Sequence, residues 1–235
     1  MIDKYFHKGV NMDEVKVIEV KKSIEADNNA LASQIRNKLS EEKTLLLNLM
    51  SSPGSGKTTT LVSTLTKLKD KWKIAVVEAD VDSTVDAKTI LDAGIDAIQL
   101  HTGGMCHMDA VMTQQALDEL AGEKQDLIIL ENIGNLICTA GFDVGAHLNI
   151  NILSVPEGDD KPLKYPKMFE KTNLVLVNKI DAMEFFDFDK SKFEENVYMR
   201  NPKARIIYIS AKTGENIDEF VKWLEDELVK HTSGA

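Results

Sequence analysis

Short apolar runs alternate with amphipathic stretches along most of the chain, and this rhythm predicts a fold class before any single residue is weighed. Strands are predicted at 45–50 (LLLNLM), 74–79 (within KIAVVEAD), 96–101 (within IDAIQLHT), 126–132 (DLIILEN), 149–155 (NINILSV), 173–178 (NLVLVN) and 205–210 (RIIYIS). Runs this continuously apolar suit strands covered on both faces. Helices are predicted between them at 57–69, 84–92, 107–120, 189–197 and 215–230, with Gly94 placed to end the second. Before the first strand, Ile24, Leu31, Ile35 and Leu39 recur at helical spacing, which predicts an amphipathic helix from Ser23, its N-cap, to Leu39. The alternation predicts an α/β domain, a mostly parallel central sheet with helices on both faces. Ligands of such sheets bind outside the carboxyl ends of the strands. Residues 1–22 mix charge with short apolar pieces and read as an N-terminal arm without a metal-binding motif. Residues 23–235 read as a single domain.

The strand ends carry the chemistry. Ser51-Ser52-Pro53-Gly54-Ser55-Gly56-Lys57-Thr58 joins the first strand to the first core helix and has the form of a phosphate-binding loop, with Ser51 where the usual consensus has glycine. Backbone N–H groups of such a loop converge on phosphate, and the helix N-terminus adds positive character. The nucleotide-binding set here is Gly54, Ser55, Gly56, Lys57, Thr58 and Thr59. Lys57 is expected on the β- and γ-phosphates and Thr58 on Mg²⁺. The fold is therefore expected to be that of a P-loop NTPase.

Two further motifs point to guanine. Asn178-Lys179-Ile180-Asp181 follows a strand and has the N-K-x-D form, in which Asp181 accepts from guanine N1–H and the exocyclic amine. Lys179 is expected to cover a base face and Asn178 to brace neighbouring loops. Ser210-Ala211-Lys212 follows the last strand, with the Ala211 N–H expected to meet guanine O6 and Lys212 to cover the other ring face or the sugar. GTP is thus the expected substrate. Acidic residues end two strands: Asp80 and Glu131 are the expected Mg²⁺ ligands and, with Lys57, the expected catalytic residues. Asp82 and Glu78 are substitutes for Asp80. Asn132 and Gly134 are candidates for a loop that senses the γ-phosphate. No glutamine stands out to position water, and Arg36, Arg200 and Arg205 are the only arginines, so slow intrinsic hydrolysis is expected.

Both cysteines lie just beyond predicted strands, in Gly103-Gly104-Met105-Cys106-His107 and Gly134-Asn135-Leu136-Ile137-Cys138. Thiolate and imidazole suit Zn²⁺ and Ni²⁺. One chain offers three such ligands, Cys106, His107 and Cys138, so a site shared across a two-fold dimer is one way to complete the shell. His101 and His147 lack a neighbouring sulfur. If GTP moves the loop after Glu131, it also moves Cys138, and metal affinity becomes linked to nucleotide state.

Bulk properties narrow the setting. The formal charge of -10 argues against nucleic acid or an anionic membrane as partner. No apolar run approaches the roughly 20 residues of a membrane span, and the N-terminus shows no signal-peptide pattern, so a cytoplasmic protein is expected. Two cysteines are too few for a disulfide framework.

With SSPGSGKT at 51–58, EAD at 78–80, TGGMCHMDA at 102–110, ENIGNLIC at 131–138, NKID at 178–181 and SAKTGEN at 210–216, the chain resembles the HypB family of nickel-insertion GTPases over nearly all of 23–230. The resemblance implies a cytoplasmic P-loop GTPase whose GTP-bound form is a homodimer and which takes part in nickel delivery to [NiFe]-hydrogenase. It implies a HypA-type nickel chaperone and the immature hydrogenase large subunit as partners. It also implies metal-site roles for Cys106, His107 and Cys138, and Mg²⁺ and switch roles for Asp80 and Glu131. Two departures stand out: residues 1–22 hold no cysteine and only His7, and Cys138 is followed by Thr139-Ala140-Gly141-Phe142-Asp143 rather than by proline and an acidic residue. The urease-maturation GTPases are the nearest competing family, but their Cys-Pro-His motif is absent. A metallochaperone for a cobalamin-dependent mutase and a non-catalytic GTP-gated interaction module also compete with this reading.

Overall fold

The structure, a computed structural model, describes residues 20–81 and 83–233. The arm up to residue 19 and Asp82 lie outside the described residues. Helix α1 (Val20–Glu41) leads into β1 (Leu45–Ser51), α2 (Lys57–Leu65), β2 (Ile74–Asp80), α3 (Val85–Asp92) and β3 (Asp96–His101). There follow α4 (Ala110–Glu119), β4 (Leu127–Gly134), β5 (Leu148–Ser154), α5 (Lys161–Lys164), α6 (Pro166–Glu170) and β6 (Leu174–Asn178), then α7 (Lys190–Arg200), β7 (Arg205–Tyr208) and α8 (Ile217–Ser233). All seven expected strands are present. They form one sheet in the order β3-β2-β4-β1-β5-β6-β7, with every neighbouring pair parallel.

Alternation along β1 explains both layers. Leu45, Leu47 and Leu49 face α2, α3 and α8, packing with Leu61, Leu65, Ile90, Phe220 and Leu224. Leu46 faces α1 and α4, where Ile35, Leu39 and Ala116 bury it. Met50 packs with Met168, Phe169 and Phe193 from α6 and α7. Each such aliphatic side chain contributes about 1.5–3 kcal/mol by leaving water. Asn48 interrupts the second face and is matched there: its Nδ2 donates to Asn149 Oδ1 at 3.0 Å, and its Oδ1 accepts from Asn132 Nδ2 at 3.1 Å. A row of amides therefore crosses β4, β1 and β5 inside the apolar layer, each hydrogen-bonded as burial requires.

Three expectations change. Helix α1 begins at Val20, so Ser23 lies within it rather than capping it, and the last residues assigned to the arm are helical. Helix α4 begins at Ala110 instead of 107, because the Asp109 side chain accepts from Met112 N at 2.9 Å and caps it there. That leaves Cys106 and His107 on a turn. Between β5 and β6 two short helices, α5 and α6, each open with a proline in the first turn and are too short to leave a period in the sequence.

Central β1 runs outward to β4 and β2 on one side, while its other neighbour β5 leads away to β6 and β7. The strand order reverses beside β1, and the loop after β1 opens at that switch point.

Candidate functional site

The loop after β1 is built by its glycines. Gly56 holds φ +97° as it caps α2, and a Cβ there would sit 2.5 Å from Asn178 Nδ2. Only glycine meets both demands. No side chain caps α2, so its first N–H groups remain available to an anion. Ser55 Oγ is buried without a hydrogen-bond partner among the described residues, Lys57 is half-buried, and Gly54 and Thr59 are exposed on the loop and first turn. A shape with unclaimed donors at this point fits a phosphate chain.

The base motifs converge on the same loop. Asn178 Nδ2 donates to Ser55 O at 2.9 Å and Lys179 Nζ to Gly54 O at 2.6 Å. Asn178 Oδ1 accepts from Lys179 N at 2.8 Å and Ala211 N at 3.0 Å. Asn178 therefore braces three segments. The Ala211 N–H, expected to face guanine O6, donates to Asn178 Oδ1 in this structure. Ser210 Oγ donates to Asp181 Oδ1 at 2.6 Å and accepts from Thr213 N at 3.2 Å. Asp181, in the first turn of a 3₁₀ helix over Ile180–Phe185, and Lys212 are both exposed.

Carboxylates gather next to Thr58. Its Oγ1 donates to Glu131 Oε1 at 2.8 Å, while Glu131 Oε2 is buried with no hydrogen-bond partner among the described residues. Ligand oxygens of Glu78, Asp86 and Glu131 lie within 4.8 Å of one another, the one three-membered group of this kind among the described residues. Burial pushes the Glu131 carboxyl up to about 7, against the opposing influence of Lys57 and the Thr58 hydrogen bond. Burial likewise pushes Glu78 up to about 7, opposed by a hydrogen bond from Gln99 Nε2 at 2.5 Å. Oxygen donors around an orphaned carboxylate oxygen and a threonine hydroxyl fit Mg²⁺. Asp80 is not in this group: it ends β2, where its Oδ1 accepts from Ser83 N at 3.1 Å. Asp86, in the first turn of α3, escapes sequence reasoning, its only signal being an acidic residue six positions past the strand-end Asp80.

The two cysteine-bearing loops approach one another at Cys106 and Cys138. Thr102 Oγ1 donates to Met105 O at 2.8 Å and closes the turn that presents Cys106 and His107. Asn135 Oδ1 accepts from Ile137 N and Cys138 N, both at 2.8 Å, fixing the other loop. Both cysteines are free, Cys106 exposed and Cys138 half-buried. The Cys138 thiol is held above its ordinary value, first by a hydrogen bond shared with Cys106 and then by burial. Cys106 Sγ also lies 3.8 Å from His107 Nδ1, and burial lowers the His107 pKa, which favours the neutral, metal-binding imidazole. His107 and Cys138 thus each adjoin Cys106, yet the three do not close into a compact set within one chain.

Structural continuity joins the two centres. Ser51 pairs with Gly134, and a side chain at Gly134 would meet the Pro53 backbone at 2.8 Å. Asn132, fully buried between them, accepts from Met108 N at 3.2 Å and from Ile133 N at 2.9 Å. On the helical side, Asn28 of α1 donates to Asp143 O and accepts from Ala110 N, both at 2.9 Å. His101 and His147 stand apart, His147 at the opposite end of β1 with its Nδ1 accepting from Leu46 N at 2.9 Å.

Among the described residues no helix is long and apolar enough to cross a membrane. Residues 45–208 match the family described as CobW/HypB/UreG, nucleotide-binding domain. The chain is 43% identical over 216 residues to the hydrogenase maturation factor HypB of Escherichia coli K12, covering 92% of this chain and 74% of that protein. It is 40% identical over 215 residues to the hydrogenase/urease maturation factor HypB of Helicobacter pylori 26695, covering 90% and 87%. A crystal structure of HypB from Helicobacter pylori in complex with nickel superposes with a TM-score of 0.82 at 38% identity, covering 88% of this chain and 97% of that one.

Proposed function

The chain belongs to the HypB family of hydrogenase maturation factors, and from that membership we propose that it is a GTPase coupling nucleotide state, through dimerisation, to delivery of nickel. The reaction is attack of water on the γ-phosphorus, with cleavage of the bond to the β-phosphate bridging oxygen and release of GDP and phosphate. Lys57 offsets charge on the β- and γ-phosphates, and the loop N–H groups hold them in place. Thr58, Glu131 and Asp86, with Glu78 behind them, would hold Mg²⁺. Bound magnesium supplies charge neutralisation on the phosphate oxygens. Asp181 selects guanine, with Asn178, Lys179, Ser210, Ala211 and Lys212 shaping the base pocket. Asp80 acts at one remove, through the turn it holds with Ser83.

Nickel is the cargo, taken by Cys106, His107 and Cys138 and completed across a GTP-bound homodimer; Zn²⁺ suits the same donors. A HypA-type chaperone supplies it and the immature hydrogenase large subunit receives it, in the cytoplasm, where both thiols remain reduced. The observation carrying this reading is the pairing of Ser51, at the root of the phosphate loop, with Gly134, four residues before Cys138. Whatever moves one strand end displaces the other.

Phosphate release with Mg²⁺ tests the enzymatic part. Turnover is expected with GTP and not with ATP, and to fall about 10²-fold or more in Lys57→Ala without loss of the fold. Equal turnover of both nucleotides, or an unimpaired Lys57→Ala, would contradict the assignment.

A further inference from the structure

Resting on Cys106, His107 and Cys138 as the nickel ligands, we propose that Phe142 is the positioning residue for the His107 imidazole. A metal-binding histidine is ordinarily steered by a hydrogen bond from its second ring nitrogen to a carboxylate or carbonyl. Among the described residues His107 has none: its ring makes one polar contact, Nδ1 with Cys106 Sγ at 3.8 Å. Two ligands of one tetrahedral ion with these bond lengths sit about 3.5 Å apart, so Nδ1 is the donor atom poised beside the thiol. What orients the ring is a face-to-face stack on Phe142, with centroids 3.9 Å apart and planes 17° from parallel. A stack fixes the plane of the imidazole and leaves both nitrogen edges open.

Phe142 is itself held by its neighbour. Asp143 accepts from Arg36 Nη2 at 2.6 and 2.8 Å, a contact that anchors the loop on α1. Asp143 Oδ1 also accepts from Gly145 N at 2.9 Å, and its carbonyl accepts from Asn28 Nδ2. The loop after β4 thus acts on the metal twice, supplying the Cys138 thiolate directly and orienting the imidazole of the other turn through an aromatic face. Displacing that loop removes one ligand and frees another in the same movement.

Nickel affinity of the full chain, measured by competition with a chromophoric chelator, tests this. Phe142→Leu is expected to weaken Ni²⁺ binding about 10-fold, as loss of a supporting partner does, and Phe142→Tyr to retain it. The thiolate-to-nickel charge-transfer band per bound metal is expected to persist in Phe142→Leu, since both sulfurs remain. In a His107→Ala background, Phe142→Leu is expected to cost nothing further. An equal loss with and without His107, or wild-type affinity in Phe142→Leu, overturns the positioning role. Wild-type affinity in Cys106→Ala overturns instead the ligand assignment beneath it.

Discussion

Thr58 Oγ1 donates to Glu131 Oε1 at 2.8 Å, so the first turn of α2 and the strand leading to the Cys138 loop share a bond at the carboxyl end of the sheet. A hydroxyl that offers a lone pair to a cation keeps its proton for that carboxylate, so a cation bound here would tie Thr58 and Glu131 together. The adjacent Glu131 Oε2 makes no hydrogen bond among the described residues. On the proposed assignment, nucleotide and cation act on the residue beside Asn132, which accepts from Met108 N, and on the strand whose Gly134 pairs with Ser51.

Glu131 also carries a pH signature. Its folded carboxyl is pushed by burial to about 7, above the ordinary carboxylate value. A raised acid pKa contributes stability that is complete below the unfolded pKa and lost as pH rises through the folded one. In Mg²⁺-free buffer the melting temperature is expected to fall between pH 5 and 8, and to fall less in Glu131→Gln. Adding Mg²⁺ at pH 8 is expected to stabilise wild type more than the variant. Identical pH profiles of the two proteins would remove Glu131 from this role.

The proposed base selection places Asp181 against guanine, one of its oxygens already accepting from Ser210. Asp181→Asn places an amide donor against the guanine N1–H and amine. GTP affinity is expected to drop about 10²-fold, with xanthine nucleotides gaining. Titration with fluorescent guanine and xanthine nucleotides reads this directly, and unchanged GTP affinity would show that the base lies elsewhere.

The sheet and its loops are legible in the sequence because their signals are local. Seven apolar runs and three short motifs each declare themselves within eight residues. Asp86 is not legible, because its approach to Glu131 depends on how the turn after Asp80 folds back to start α3. Phe142 is hidden for the same reason: nothing in its neighbourhood announces a stack on a ring 35 positions earlier. Helix α4 starts later than its pattern suggests, since Ala110, Val111, Leu117 and Leu120 do not say where an aspartate will cap it. Asn48, a polar residue inside an apolar run, marks a row of amides whose partners lie on other strands.

Away from the site, His147 is expected to contribute acid sensitivity. Burial first, and then the charge of His231, push its pKa down to about 4. Its Nδ1 accepts from Leu46 N, and its ring meets His231 edge-on with centroids 4.3 Å apart. A depressed histidine pKa gives stability that is present above the unfolded value and lost as pH falls toward the folded one. The urea midpoint is expected to fall between pH 6.5 and 4, and less steeply in His147→Gln. A variant as acid-sensitive as wild type would assign that loss to other groups.

Nickel affinity in the two nucleotide states tests the coupling most directly. Ni²⁺ binding is measured with Mg²⁺-GDP and with a nonhydrolysable Mg²⁺-GTP analogue, while the oligomeric state is followed by sedimentation. The coupling predicts a dimer only with the analogue and a difference in affinity of about 5-fold or more between states, abolished in Cys138→Ala. Equal nickel affinity in both states, with nucleotide bound in each, would contradict it.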